Sequence, residues 1–217
     1  MIDWYWLPWK KILLVYYEYI IEKVIRFSIC DWETKENIIK DLEILKRSFQ
    51  YGIKSSTTDW WKWCFKALKT VYPDIVIQRC LVHIQRQVCS YISKRPKLKA
   101  WKELKRIISY KILSDSFLFP LLFKIWKESN SYFLKEKSLN SQWNYCYKHL
   151  KIRKAMKHIE NALPYMFHND SSIEFSTNKL EWYFWVLTNE CINEHKWIRE
   201  DRLSSLIALW IYFRNEK

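Results

Sequence analysis

The apolar positions of this chain follow two periods. Residues 1–7, 11–19 and 23–30 are aliphatic, β-branched and aromatic runs, which predicts strands. Residues 18–22 lie between the second and third runs, so those two pair as an antiparallel hairpin. Ile38, Leu42 and Leu45 are spaced four and three apart and give the buried face of a helix. Thr34 is its N-cap and Gly52 its closing C′ glycine. Residues 53–58 predict another strand, with Asp59 where that strand stops. Ala67, Leu68 and Val71 return to helical spacing, Pro73 ends that helix, and Ile75, Val76 and Ile77 predict a short buried strand. From residue 83 to about residue 161 the pattern predicts helices only. Pro96 separates the first two, Leu104, Ile107 and Ile108 share one face, and Pro120 interrupts the apolar run 117–134. Residues 145–159 form a basic helix carrying Lys148, His149, Lys151, Arg153, Lys154, Lys157 and His158. A polar loop around residues 168–172 leads to Ser176 or Thr177 as the cap of a helix reaching His195. Residues 202–213 are a last amphipathic helix.

Composition narrows the class. The chain has 217 residues, 49% of them hydrophobic, enough for one sizeable core. No apolar run has the length of a membrane span, and the N-terminus lacks a signal-peptide layout. The expectation is a cytoplasmic, nucleoid-associated protein with no membrane partner, its six cysteines reduced thiols. Thirty-seven basic against twenty-three acidic residues give a net charge of +14. That excess, interleaved with aromatic residues, favours nucleic acid as partner over a merely solvated basic surface.

Four blocks carry candidate chemistry. Asp3-Trp4-Tyr5 ends the first strand. Asp59-Trp60-Trp61-Lys62-Trp63 follows the fourth. Gln78-Arg79-Cys80 runs on through His83 to Arg86. Thr177-Asn178-Lys179-Leu180-Glu181-Trp182 opens a late helix, with His195 beyond it. In this order the blocks resemble those of Mutator-type insertion-sequence transposases. There Asp-Gly motifs hold the first two acids of an Asp-Asp-Glu triad, a Gln-Arg-Cys-x-x-His-x-x-Arg motif follows, and Leu-Glu-Gly holds the third. The resemblance implies an α/β, ribonuclease-H-like mixed sheet flanked by helices. Residues 1–84 and 166–217 would form the catalytic core and residues 85–165 a helical insertion. The first strand would be truncated, and the upstream DNA-binding region absent.

The implied activity is metal-dependent DNA cleavage and strand transfer. Asp3, Asp59 and Glu181 are the catalytic residues and ligands of Mg2+ (or Mn2+), a cation that prefers carboxylate oxygens plus water and phosphate. Lys62, Arg79, Arg86, Lys154 and Lys157 are candidate phosphate contacts. Transposon-end and target DNA are the implied partners, with a homo-oligomer as the assembly. Cys80, His83 and His195 belong to the motifs without a role that can be derived. Cys80 and His83 supply only two of the four ligands a structural zinc site needs. The alternatives are a truncated, inactive remnant that only binds nucleic acid, and another nuclease of the same fold.

One anomaly cuts across these blocks. The chain has one glycine and fourteen tryptophans, whereas average usage gives about 7% glycine. Trp4, Trp32 and Trp60 follow aspartates and Trp182 follows a glutamate, where the resembling family has mostly glycine. We therefore expect many tryptophans to be glycines read from UGA codons, with Trp126, Trp143 and Trp210 authentic members of apolar helices. Trp4, Trp60, Trp61, Trp63 and Trp182 should then lie near the acidic residues. Peptide masses over residues 57–66 from the native cell are expected to fit glycine at positions 60, 61 and 63, and tryptophan masses there refute the recoding.

Overall fold

The computed structural model describes residues 1–32, 34–49, 52–59, 62–139, 141–168, 172–195 and 197–216. The chain divides into two compact units, residues 1–80 with 170–217, and residues 81–169. In the first unit, β1 (Ile2–Trp6), β2 (Ile12–Glu18) and β3 (Lys23–Cys30) precede α1 (Lys35–Ser48). Then come β4 (Ser55–Thr58), α2 (Lys62–Val71) and β5 (Val76–Arg79). The five strands form one mixed sheet in the order β3-β2-β1-β4-β5. The β3-β2 pair is antiparallel, as the hairpin pattern predicts; β2-β1 is also antiparallel, and β1-β4 and β4-β5 are parallel.

β2 explains the layering. Its sequence, Ile-Leu-Leu-Val-Tyr-Tyr-Glu, is apolar on both faces, as a strand covered on both sides requires. Ile12, Leu14 and Tyr16 pack with Ile38, Leu42 and Leu45 of α1 and with Ala67 and Leu68 of α2. Leu13, Val15 and Tyr17 pack on the other face against late-chain helices. Thr34 caps α1, its hydroxyl accepting the Asn37 N–H at 3.2 Å. A half-buried ion pair joins β3 to α1: Arg26 Nε donates to Asp41 Oδ1 at 2.6 Å, and Ser28 Oγ donates to the other oxygen at 2.5 Å. Asp41 is only 3% exposed, so both partners are needed to offset its desolvation.

The second unit holds α3 (Leu81–Tyr91), α4 (Lys99–Lys111), α5 (Leu118–Ser129) and α6 (Ser131–Lys135). After them come β6 (Lys137–Leu139), β7 (Tyr145–Tyr147) and α7 (Leu150–Ala162). Its core gathers Ile84, Leu104, Ile108, Phe119, Phe123, Ile152 and Ile159. Trp126 is buried there, its indole N–H donating to the Ala100 carbonyl at 2.9 Å. The chain then returns to the first unit with α8 (Asn178–Leu187), a π-helical turn (Thr188–Ile192) and α9 (Glu200–Asn215). Among the described residues no helix is long and apolar enough to cross a membrane.

Several expectations need correction. The 83–161 stretch is not helical throughout, because β6 and β7 pair as an antiparallel hairpin. Polar residues 141–144 supply its turn, and Arg153 stacks 3.5 Å from the centre of the Tyr147 ring. Glu136 anchors its base, accepting from Lys148 at 2.6 Å and lying 2.8 Å from His149 Nε2. The basic helix therefore begins at Leu150, not at residue 145. Pro120 falls in the first turn of α5, where a missing N–H costs nothing, and does not interrupt it. Gly52 is not a C′ glycine. α1 ends at Ser48, the Phe49 N–H bonds back to Leu45, and Gly52 has no positive φ.

The tryptophans sort differently from expectation. Trp126 and Trp210 are packed, the latter edge-on to Tyr183 at 5.1 Å. Trp143 lies in no helix. It sits in the β6-β7 turn, 82% exposed, with φ +59°. Trp9, after Pro8, has φ +63° and is 55% exposed. These are left-handed conformations that cost a non-glycine residue about 1–2 kcal/mol. Trp143→Gly is therefore expected to raise stability by about 1 kcal/mol in urea unfolding, and a loss of stability would refute a glycine-shaped turn.

Candidate active site

β1 and β4 run parallel and pair at Ile2 and Thr58. The next residue on each is acidic, so Asp3 and Asp59 stand side by side. With Ile2, Trp4 and Thr58 they line one small cavity of about 10 Å3. Asp3 accepts the Trp4 backbone N–H at 2.9 Å. Strand alternation divides the rest of β1 between the two faces. Trp4 packs with the α1-α2 core, and Tyr5 with α8 and α9. Asp3, two residues before Tyr5, takes the α8 side.

α8 is fixed at both ends against this sheet. At its start, the Thr177 N–H donates to Cys80 Sγ at 3.3 Å, while the Cys80 N–H donates to the Thr58 carbonyl at 3.0 Å. Cys80 is 1% exposed and thus ties the end of β4 to the beginning of α8. Near the other end, Phe184 stacks on Tyr5 at 5.3 Å and the Thr188 hydroxyl donates to Tyr5 Oη at 2.7 Å. Glu181 lies in the first turn of α8, its N–H bonded to the Thr177 carbonyl. It is seven residues before Thr188 and so shares that side of the helix. Of Ser176 and Thr177, the two caps that the sequence offers, Thr177 occupies the N-cap position, with no capping bond from its side chain to the helix.

Arg79, the last residue of β5, is 2% exposed. The candidate phosphate contact at this position is therefore a buried guanidinium. Burial pulls its guanidinium down to about 10, and the neighbouring negative charge of Asp59 opposes that fall. Lys62 is exposed at the first position of α2. His195 is exposed in the turn before α9. In the second unit His83 is half-buried and Arg86 exposed on α3, and Lys154 and Lys157 are exposed on α7. Of the tryptophans expected near the acids, Trp4 lines their cavity and Trp182 adjoins Glu181. Trp182 is 55% exposed beneath Arg214, and Trp63 is 45% exposed. Trp60 and Trp61 lie outside the described residues.

The cavity offers two carboxylates, oxygen donors of the kind that hard divalent cations take. Among the described residues no three His, Cys, Asp or Glu side chains gather closely enough to hold an ion together. Sequence reasoning did not find the Cys80–Thr177 contact or the Tyr5–Thr188 pair. Both cross between segments nearly a hundred residues or more apart, where no local spacing records them.

Residues 22–117 match the family model described as Transposase, Mutator family. That span contains Asp59, Lys62, Arg79, Cys80, His83 and Arg86, while Asp3 and Glu181 fall outside it. No curated protein matches the chain.

Cys80→Ala removes the acceptor of the buried Thr177 N–H. It is expected to cost about 1–3 kcal/mol in urea unfolding, the penalty of an orphaned buried donor. An unchanged midpoint would show that this contact does not hold α8.

Proposed function

We propose that this chain, whose residues 22–117 match the Mutator family of transposases, is a catalytic core of the Asp-Asp-Glu type that cleaves and joins DNA. The observation that carries this reading is that Asp3 and Asp59 each follow a residue of the paired Ile2 and Thr58 and line one cavity. They are distant in sequence, yet the parallel β1-β4 pairing brings them to one cavity. The strand order β3-β2-β1-β4-β5, with three antiparallel strands followed by two parallel ones, supports a ribonuclease-H-like sheet. Glu181 is the third acid, on the side of α8 that also carries the contact to β1.

Asp3, Asp59 and Glu181 would hold Mg2+ or Mn2+, which when bound activates the attacking oxygen and stabilises the leaving one. The chain's own residues set the conditions for that chemistry. Arg79 is a buried cation whose charge is opposed by that of Asp59. Cys80 positions the start of α8, and through it Glu181. Lys62, Arg86, Lys154 and Lys157 are exposed cations suited to phosphate oxygens, which fix the DNA without reading its sequence. A net charge of +14 draws DNA to the surface. Two transposon ends call for two active sites, so a homo-oligomer bound to end and target DNA, in the cytoplasm at the nucleoid, is the working form.

A second reading is a remnant that only binds nucleic acid. Cleavage of transposon-end duplex in Mg2+ separates the two. The unaltered chain is expected to nick such DNA, and Asp59→Asn and Glu181→Gln each to lower the rate by at least about a hundredfold while still binding it. Binding without nicking by the unaltered chain would leave the second reading standing, and full activity in either variant would refute the triad.

A further inference from the structure

The net charge is not evenly spread. Residues 81–169 hold eighteen lysines and arginines against five acidic residues, while the rest of the chain holds nineteen against eighteen. The second unit thus carries nearly all of the excess. A unit so charged repels itself, and a polyanionic partner relieves that repulsion. Two stretches within it, 94–106 and 135–157, each hold seven basic residues and one acidic one. The first covers the approach to α4 and part of α4 itself. The second contains the β6-β7 hairpin, and there the charge adjoins exposed apolar side chains.

Register sorts the hairpin. Lys137 pairs with Tyr147 and Leu139 with Tyr145, so these four side chains share one face, and Ser138 and Cys146 take the other. At the base of the first face two cations approach the Tyr147 ring, Lys137 Nζ at 5.4 Å and Arg153 Cζ at 3.5 Å from its centre. Arg153 belongs to α7 and also donates to the Leu134 carbonyl at 2.6 Å. Lys157, four residues on, shares its side of that helix and is exposed. Toward the turn the same hairpin face is open. Tyr145 is 75% exposed and Leu139 47%.

This open end is held in place. A hairpin with strands of three residues is marginal alone. Here the Lys148 N–H donates to the Glu136 carbonyl at 3.0 Å, and the His149 ring stacks on Phe133 with centres 3.7 Å apart. Glu136 is the one acid of the 135–157 stretch, and Lys148 and then His149 keep its carboxyl below the usual carboxylate range. Being paired, it leaves the surroundings positive. An anchored element that holds a ring and an aliphatic side chain in water, among cations, has both parts of a nucleotide seat: a surface for a base and charge for the phosphates. Duplex DNA presents its phosphates, but stacking covers its base faces. An unpaired strand presents both.

We propose that this face of the hairpin binds unpaired DNA, with one base stacked on the Tyr145 ring against Leu139 and the flanking phosphates at Lys137 and Lys157. It rests on the reading of the chain as one that acts on DNA, and adds a preference to it, for a strand with an unpaired stretch over a fully paired one. Trp143, a turn residue at positive φ, is not required for the seat.

Fluorescence anisotropy with the 217-residue chain tests the seat, using labelled oligo(dT) of about 16 nucleotides and a duplex of equal length. Tyr145→Ala is expected to weaken oligo(dT) binding at least about fivefold, the loss of one base–ring stack, and to change duplex binding by less than about twofold. Tyr145→Phe keeps the ring and is expected to bind both probes within about twofold of the unaltered chain. Lys157→Ala is expected to weaken both probes and to reduce the salt slope of binding by about one. If Tyr145→Ala weakens both probes equally or neither, or if Tyr145→Phe is as weak as Tyr145→Ala, the seat is overturned while the DNA reading stands. Tighter binding of oligo(U) than of oligo(dT) assigns the face to RNA and also overturns the proposal. An unaltered chain that binds neither probe overturns both. Absence of nicking by the unaltered chain, with these binding differences present, defeats the catalytic reading and still supports the seat.

Discussion

Burial of β2 on both faces is the constraint on which the rest of the first unit depends. Residues 12–17 are each 7% exposed or less, and they belong alternately to two separate cores. A strand in that position needs a neighbour on each edge and a helical layer on each face. β3 and β1 supply the edges, α1 and α2 one layer, and α8 and α9 the other. The second layer comes from the far end of the sequence. Unit 1 therefore closes only when residues 170–217 return to a sheet laid down by residues 1–80.

That return governs the candidate chemistry. Asp3 and Asp59 are brought together by strand pairing alone, which is local to the sheet. Glu181 depends on α8 lying at one height and one rotation, and two polar contacts set these. Cys80 holds Thr177 at the end of β4, and Tyr5 holds Thr188 beyond the end of the β1-β4 pairing. A sulfur acceptor suits the first contact: it satisfies one backbone N–H in a buried corner without bringing in a charge. Arg79 does bring in a charge, and its burial is tolerable because Asp59 offers an opposite one.

The strands and the helical faces were legible because they follow from period. The unbroken apolar run of β2, the spacing of Ile38, Leu42 and Leu45, and the Thr34 cap all express local geometry. Asp41 was not legible. It lies three residues after Ile38, on a face read only for its apolar members, and its partner Arg26 belongs to another element. The hairpin β6-β7 was missed for a related reason. Three-residue strands rich in tyrosine can be absorbed into a neighbouring helical pattern, and the polar turn at 141–144 was the signal that separates them. Among the site residues, Asp3 and Asp59 could be placed from strand ends. The inward course of Arg79 could not, because a basic residue at a strand terminus reads as a surface charge until its neighbours are known.

The tryptophans show where apolar spacing stops being informative. Trp126 and Trp143 both fall in stretches that read as helical, and nothing in periodicity distinguishes them. Packing does: one indole is 3% exposed with its N–H bonded, and the other is 82% exposed on a left-handed turn residue. A large ring earns its place in a fold by excluding water from other apolar groups, and an indole standing in solvent at positive φ does not. Trp9 shares both properties with Trp143, and neither follows an acidic residue. The positions that behave like glycine are therefore set by backbone conformation, and extend beyond the Asp-Trp pairs that first draw notice. Trp4 is the contrasting case. It lies within β1 without positive φ, and its ring packs on the α1-α2 core. At Trp4, conformation alone does not call for glycine. The requirement there, if DNA approaches Asp3, is room beside the carboxylate, which is a constraint of the site and not of the fold.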